Sequence, residues 1–265
     1  MEKLILIKLG GSVITDKAKP FYAEEKVIAR LGREILQAQK QYKGKLIIGH
    51  GSGSFGHTVA TKYKTHEGLI KKDSLKGLSE TADAASRINR IVTKNLKLQG
   101  LNVVSFAPAS FIISKGGKLA KFFSEPIALC LKVGGIPLVY GDVVMDGEKG
   151  FTIFSAEKVI EALVEGLLGK YKILKIIQCG ATEGVYDSKG KTIPRITPNS
   201  FRKLEAQIGG AFGPDVTGGM YHKVKQSLKI ASRFGVKTQI ISGVGSGTLK
   251  EAILGKKIRG TEITS

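Results

Sequence analysis

Short apolar runs alternate along this chain with longer stretches in which apolar positions recur every three to four residues. Leu4-Ile5-Leu6-Ile7-Lys8-Leu9 has the length of one buried strand, and similar runs recur at Lys45–Gly49, Asn102–Phe106, Ile136–Tyr140, Ile173–Gln178 and Lys237–Ile241. Between them, Glu24–Gln41 carries Val27, Ile28, Leu31 and Ile35 on one helical face, and Ser79–Gln99 carries Ala85, Ile88, Val92 and Leu96 at matching spacing. Ser155 is placed to cap a helix running to Leu168. Phe111–Ala120, around Ser114-Lys115-Gly116-Gly117, and Val143–Phe154, around Gly147, predict hairpins. The βα rhythm predicts an α/β protein: a mainly parallel sheet covered on both faces, a three-layer αβα sandwich with ligand loops at the strand ends. No internal repeat or low-complexity segment interrupts it.

Composition narrows the class. A chain of 265 residues with 34 glycines and 7 prolines is long enough for one large, loop-rich domain or two lobes, with no Pro-rich linker. No apolar run approaches the ~20 residues that span a bilayer, and Met1-Glu2-Lys3 leads into a strand without a small-residue cleavage site, so a cytoplasmic protein without a membrane segment is expected. Cys130 and Cys179 lack metal-ligand spacing and are expected to pack as small apolar residues. The 42 Lys and Arg against 22 Asp and Glu, a formal charge of +20, favour polyanionic partners. These cations are spread along the chain and not interleaved with aromatics, which argues against a specific nucleic-acid face and leaves phosphorylated small molecules. Lys62, Lys64, Lys71, Lys72 and Lys76 form the densest basic segment, either a substrate-steering surface or a solvated loop.

Three glycine-bearing elements carry the candidate chemistry. His50-Gly51-Ser52-Gly53-Ser54-Phe55-Gly56-His57 follows an apolar run. Its glycines let consecutive N–H groups converge on an anion, and His57 adds a donor; a tight strand-to-helix turn would use the same residues. Gly10-Gly11-Ser12 ends the first strand, in which Lys8 either meets an anion or snorkels from an edge. Asp215-Val216-Thr217-Gly218-Gly219-Met220 opens a helix with Lys223 one turn in, an anion-site arrangement. His50, His66, His222 and Asp142 are open to local structural roles.

Taken together these residues resemble the amino acid kinase superfamily and, within it, the isopentenyl phosphate kinases. The likeness rests on Lys8-Leu9-Gly10-Gly11-Ser12 with Thr15-Asp16-Lys17, the Ser54-Phe55-Gly56-His57 ending, Tyr140-Gly141-Asp142-Val143-Val144, Gly184-Val185-Tyr186-Asp187, the Gly218-Gly219 element with Lys223, and Ile241-Ser242-Gly243. It implies the amino acid kinase fold, with an acceptor-binding lobe over about 1–168 and a nucleotide-binding lobe over about 169–265. It implies phosphoryl transfer from ATP to isopentenyl phosphate, giving isopentenyl diphosphate for isoprenoid synthesis. A kinase of another small phosphate or phosphonate such as fosfomycin, and a non-catalytic anion sensor, are the alternatives.

The resemblance also implies roles. Lys8 and Lys223 clamp the transferred group, Lys17 supports the leaving side, and Glu157 orients the lysines where the family usually has Asp. Gly10, Gly11, Gly53, Gly219, Lys8 and Lys223 face the nucleotide; Gly51, Ser52, His57 and Gly141 face the acceptor. No protein metal site is expected, Mg²⁺ riding on the ATP oxygens, and a homodimer is expected. Gly180-Ala181-Thr182-Glu183 departs from the family's Thr-Asp-Val-Asp beside the nucleotide. Ala85, Ile88 and Val92 are candidate walls for a prenyl tail.

Overall fold

The computed structural model describes residues 1–208 and 219–265; Asp215-Val216-Thr217-Gly218 lie outside the described residues. The chain runs through β1 (Lys3–Leu9), α1 (Gly11–Ile14), α2 (Glu25–Gln39), β2 (Lys45–His50), α3 (Gly53–Tyr63), α4 (Ser74–Leu98) and β3 (Val103–Ser105). It continues through β4 (Ile112–Lys115), β5 (Lys118–Phe122), α5 (Glu125–Lys132), β6 (Ile136–Tyr140), β7 (Asp142–Asp146), β8 (Gly150–Phe154) and α6 (Ala156–Leu167). The remainder is β9 (Lys172–Gly180), β10 (Arg195–Ile196), α7 (Pro198–Ile208), α8 (Gly219–Phe234), β11 (Thr238–Ser242), α9 (Thr248–Ile253) and β12 (Thr261–Ile263).

Eight strands form one sheet in the order β10-β12-β11-β9-β1-β2-β6-β3, and β5-β4-β7-β8 form a second, smaller one. In the large sheet β1 pairs in parallel with both β2 and β9, and the departure from parallel pairing is β12 against β11. Strand periodicity sorts the core into two layers. Ile5, Ile7 and Leu9 point to one face, with Ile28, Leu31 and Ile35 of α2, Ile88 and Val92 of α4, and Leu249 and Ile253 of α9. Leu4 and Leu6 point to the other, with Ile127 of α5, Val159 and Leu163 of α6, and Ile230 of α8. This is the expected three-layer sandwich. Lys8 shares the parity of Leu4 and Leu6, so the strand's own alternation aims it at the α6–α8 side. Among the described residues no helix is long and apolar enough to cross a membrane.

Both hairpins form, and their junction is fixed by one carboxylate. Asp146 accepts from the amides of Gly116 (3.0 Å), Gly117 (2.8 Å), Glu148 (2.9 Å) and Lys149 (2.9 Å) and from the Ser114 hydroxyl (2.7 Å). Burial would raise its pKa, but these donors hold it well below the usual carboxylate range.

Two sequence expectations change. The stretch from Gly53 onward is helix α3, not loop, because Phe55, Val59 and Tyr63, four residues apart, bury one face. The long helix starts at Ser74, five residues earlier than its apolar pattern, because Ser74 and Gly77, the buried positions of the added turn, are small or polar and carry little hydrophobic signal. The basic segment is therefore divided: Lys62 in α3, Lys71 and Lys72 in the connection and Lys76 in α4, with Lys71 paired to Asp73 at 3.2 Å. Cys130 and Cys179 are buried and free, and burial pushes the Cys179 thiol up to about 12.

Candidate active site

A cleft of about 700 Å³ opens where β1 and β2 end and α1, α3, α6 and α8 begin. Its floor is backbone. Gly11 and Gly53 press together so closely that a Cβ on Gly11 would stand 2.7 Å from the Cα of Gly53, and Gly53 itself has φ +51°. Thr15 clips the two loops: its hydroxyl donates to the Gly11 carbonyl (2.7 Å) and accepts from the Ser54 amide (3.0 Å). Gly11, Gly51, Ser52, Gly53, Gly141 and Gly219 all line the cleft.

Gly10 does not line it. Its amide donates to the Cys179 carbonyl at 2.8 Å, and that of Gly51 donates to Leu9 at 3.1 Å, so these two expected phosphate donors are spent on holding the loops to the sheet. Among the described residues no partner engages the amides of Gly11, Ser12, Ser52 and Gly53, which remain available to an anion.

The charged groups expected from the sequence converge on this cleft: Lys8, Lys17, His57, Glu157 and Lys223 all line it. Lys8 is only 4% exposed and meets Glu157, 149 residues away, in a direct ion pair. Ser155 caps α6 by accepting from the Lys158 amide (3.3 Å), which sets Glu157 in the first helical turn. Burial would raise the Glu157 carboxyl, but the Lys8 charge and hydrogen bond hold it down at about 2. Lys223 is pushed down to about 8, first by burial and then by repulsion from Lys8 and Lys17, with Glu157 pulling the other way. Among the described residues three ammonium groups thus face one carboxylate already committed to Lys8, a positive lining suited to clustered phosphates.

The match to an amino acid kinase family model extends over residues 3–242. The chain belongs to the amino acid kinase family. It is 34% identical over 267 residues to the isopentenyl phosphate kinase of Methanocaldococcus jannaschii, covering 98% of each chain. It is 32% identical to that of Methanothermobacter thermautotrophicus, over 98% of this chain and 99% of the relative. Among solved structures, an isopentenyl phosphate kinase superposes with a TM-score of 0.81 at 28% identity, over 98% of this chain and 100% of that one. Giardia lamblia carbamate kinase bound to AMP-PNP, 14% identical with a TM-score of 0.70, shares the fold.

Sequence reasoning missed part of this amino acid kinase cleft. Ser12, Ser54, Thr58, Ile153 and Gln226 also line it. Thr58 stands one residue after His57, and the helical reading of α3 would have placed it there. Ile153 comes from the β7–β8 hairpin, whose position over the cleft no local pattern announces. Two of the three candidate tail walls do not line the cleft: Ile88 and Val92, both fully buried, belong to the core beneath the sheet, on the face of α4 that packs with α2, β3 and β6.

Proposed function

We propose that this chain is a cytoplasmic, ATP-dependent kinase of isopentenyl phosphate, with an acceptor lobe over about 1–168 and a nucleotide lobe over about 169–265. What carries the reading is the joining in one cleft of an anion-binding backbone floor, His57 on the first turns of α3, and Lys8, Lys17 and Lys223 around Glu157. The likeness to isopentenyl phosphate kinases over almost the whole chain supports the acceptor.

In the proposed reaction an oxygen of the acceptor phosphate attacks the γ-phosphorus of ATP, the bond to the β-phosphate oxygen breaks, and ADP leaves. Both partners are anions, so positioning and cations matter more than covalent help. Lys8 and Lys223 flank the transferred group, Lys17 meets charge developing on the leaving side, and the Gly11, Ser52 and Gly53 amides direct donors at phosphate oxygens. His57, with Gly141 beside it, holds the acceptor phosphate. Glu157 fixes the Lys8 ammonium and keeps the cations from repelling one another out of position. Mg²⁺ is part of the proposal as a companion of the nucleotide: among the described residues the cleft offers one carboxylate, tied to Lys8, a poor donor set for a protein-held ion, so the metal would sit on phosphate oxygens and neutralise them.

The assay is ADP release with isopentenyl phosphate, a longer prenyl phosphate and fosfomycin at matched concentrations. The expected result is the highest kcat/KM for isopentenyl phosphate. Preference for fosfomycin overturns the acceptor, and no ADP release with any of them overturns catalysis. A homodimer is proposed as the working assembly, because β3 is an edge strand whose Val104 is 46% exposed near the 83% exposed Val133. A monomer mass by light scattering rejects it.

A further inference from the structure

His50 is the last residue of β2 and is completely buried. Both ring nitrogens are used. Nδ1 lies 3.1 Å from the carbonyl oxygen of Gly51, and Nε2 lies 3.1 Å from Nδ2 of Asn89 on α4. The other end of that amide is fixed as well, since Oδ1 of Asn89 accepts from the Ser105 hydroxyl of β3 at 2.6 Å. The imidazole stacks on Tyr140 with centroids 5.5 Å apart and ring planes 10° from parallel. A chain of hydrogen bonds therefore runs from β3 through α4 and the imidazole into the first peptide of the glycine loop.

With Asn89 donating to Nε2, the ring proton is on Nδ1 and is given to the Gly51 carbonyl. A trans peptide holds its C=O and the following N–H on opposite sides of one plane. Fixing the Gly51 carbonyl toward the imidazole therefore turns the Ser52 N–H away from it, to the side on which Ser52 lines the cleft. The Ser52 amide has no partner of its own among the described residues, as a donor reserved for a ligand would. Burial pushes the His50 pKa down to about 4, so the ring stays neutral through the neutral range and its two hydrogen bonds set the tautomer.

We propose that His50 is a positioning residue: its Nδ1–H, oriented by Asn89 and Ser105, sets the peptide plane that aims the Ser52 amide at the acceptor's phosphate. The proposal rests on the reading of this loop as an acceptor-phosphate site and deepens it. His50 touches neither substrate.

His50→Phe keeps the stacking ring without the donor, and His50→Gln restores a group able to donate to Gly51 and accept from Asn89. The Phe variant is expected to raise the acceptor KM about tenfold, the effect of misdirecting one hydrogen-bond donor, while the KM for ATP changes less than about twofold. The Gln variant should recover most of that loss. A Phe variant with wild-type acceptor KM, or equal losses for Phe and Gln, overturns the proposal. Titration of the resting protein with inorganic phosphate, followed by the Ser52 amide resonance, needs no turnover. Weaker phosphate binding in the Phe variant supports His50 even if isopentenyl phosphate proves to be the wrong acceptor, and unchanged binding refutes it. If the Phe variant does not fold, nitrogen-15 spectra of the wild-type imidazole decide: Nδ1–H with a bare Nε2 is expected, and Nε2–H overturns the proposal.

Discussion

Glu157→Gln conserves shape at the centre of the cleft and removes one charge. Lys8 then stands 4% exposed without its counter-ion among the described residues. The drop of the Glu157 carboxyl from its ordinary 4.5 to about 2 corresponds to about 3 kcal/mol in favour of the charged form. Because the folded pKa is depressed, that stabilisation is complete above pH 4.5 and is lost as pH falls toward 2. Urea unfolding should show the Gln variant about 3 kcal/mol less stable at pH 7, with the gap closing below pH 4.5. A second consequence reaches Lys223, whose value of about 8 already includes an upward pull from Glu157. If Lys223 must be protonated to act, the wild-type kcat/KM should fall above about pH 8, and in Glu157→Gln that alkaline limb should move to lower pH. Glu157→Asp should keep most of both properties. Equal stability at pH 7 together with an unmoved alkaline limb would refute the account of Glu157 as the organising charge.

Lys8→Ala and Lys223→Ala should each lower kcat roughly a hundred- to a thousandfold, comparable to loss of a transition-state donor, and folded variants with near wild-type rates would remove them from the reaction. His57→Ala should raise the acceptor KM and lower kcat while His57→Gln retains part of the activity; loss of ATP binding with normal acceptor kinetics would put His57 on the wrong substrate. Asp146→Asn should cost about 2 kcal/mol at pH 7 through weakened charge-assisted hydrogen bonds. The Asp146 carboxyl is depressed, so its advantage should shrink as pH falls below 3.8, and melting curves at pH 7 and pH 3 that keep the same gap contradict this. Ile88→Ala should cost about 2–5 kcal/mol by leaving a core cavity, with the ratio of kcat/KM for longer and shorter prenyl phosphates unchanged; a shifted ratio would return α4 to the acceptor pocket.

The βα rhythm was legible because strands buried on both faces give unbroken apolar runs and α2 and α4 carry regular stripes. Lys8 stood out for the same reason, a charge inside such a run. What the rhythm hides is contact between distant segments. The pairing of Lys8 with Glu157 spans 149 residues, and here family likeness, not spacing, supplied the partner. Helix α3 was concealed by its glycines, which resemble a loop until Phe55, Val59 and Tyr63 are taken together. Gly10 looked like a phosphate donor because nothing local reveals that the Cys179 carbonyl takes its amide. At Ile88 and Val92 the tail-wall expectation met the core for a related reason, since an apolar helical stripe reports burial without saying whether core or ligand covers it.

The contact of Gly11 on Gly53 has a consequence for how this cleft can change. A floor made of main chain has no rotamers to freeze, so an anion settling there avoids the roughly 0.5–1.5 kcal/mol that ordering each long side chain would cost. The same absence of side chains leaves little to vary: almost any substitution at Gly11 or Gly53 must separate the two loops before it can alter what they hold. On the proposed reading, grip on phosphate and choice of the organic group beyond it fall to different residues. Under that proposal acceptor preference could drift through wall residues such as Thr58 and Ile153 while the Gly11–Gly53 contact stays the same.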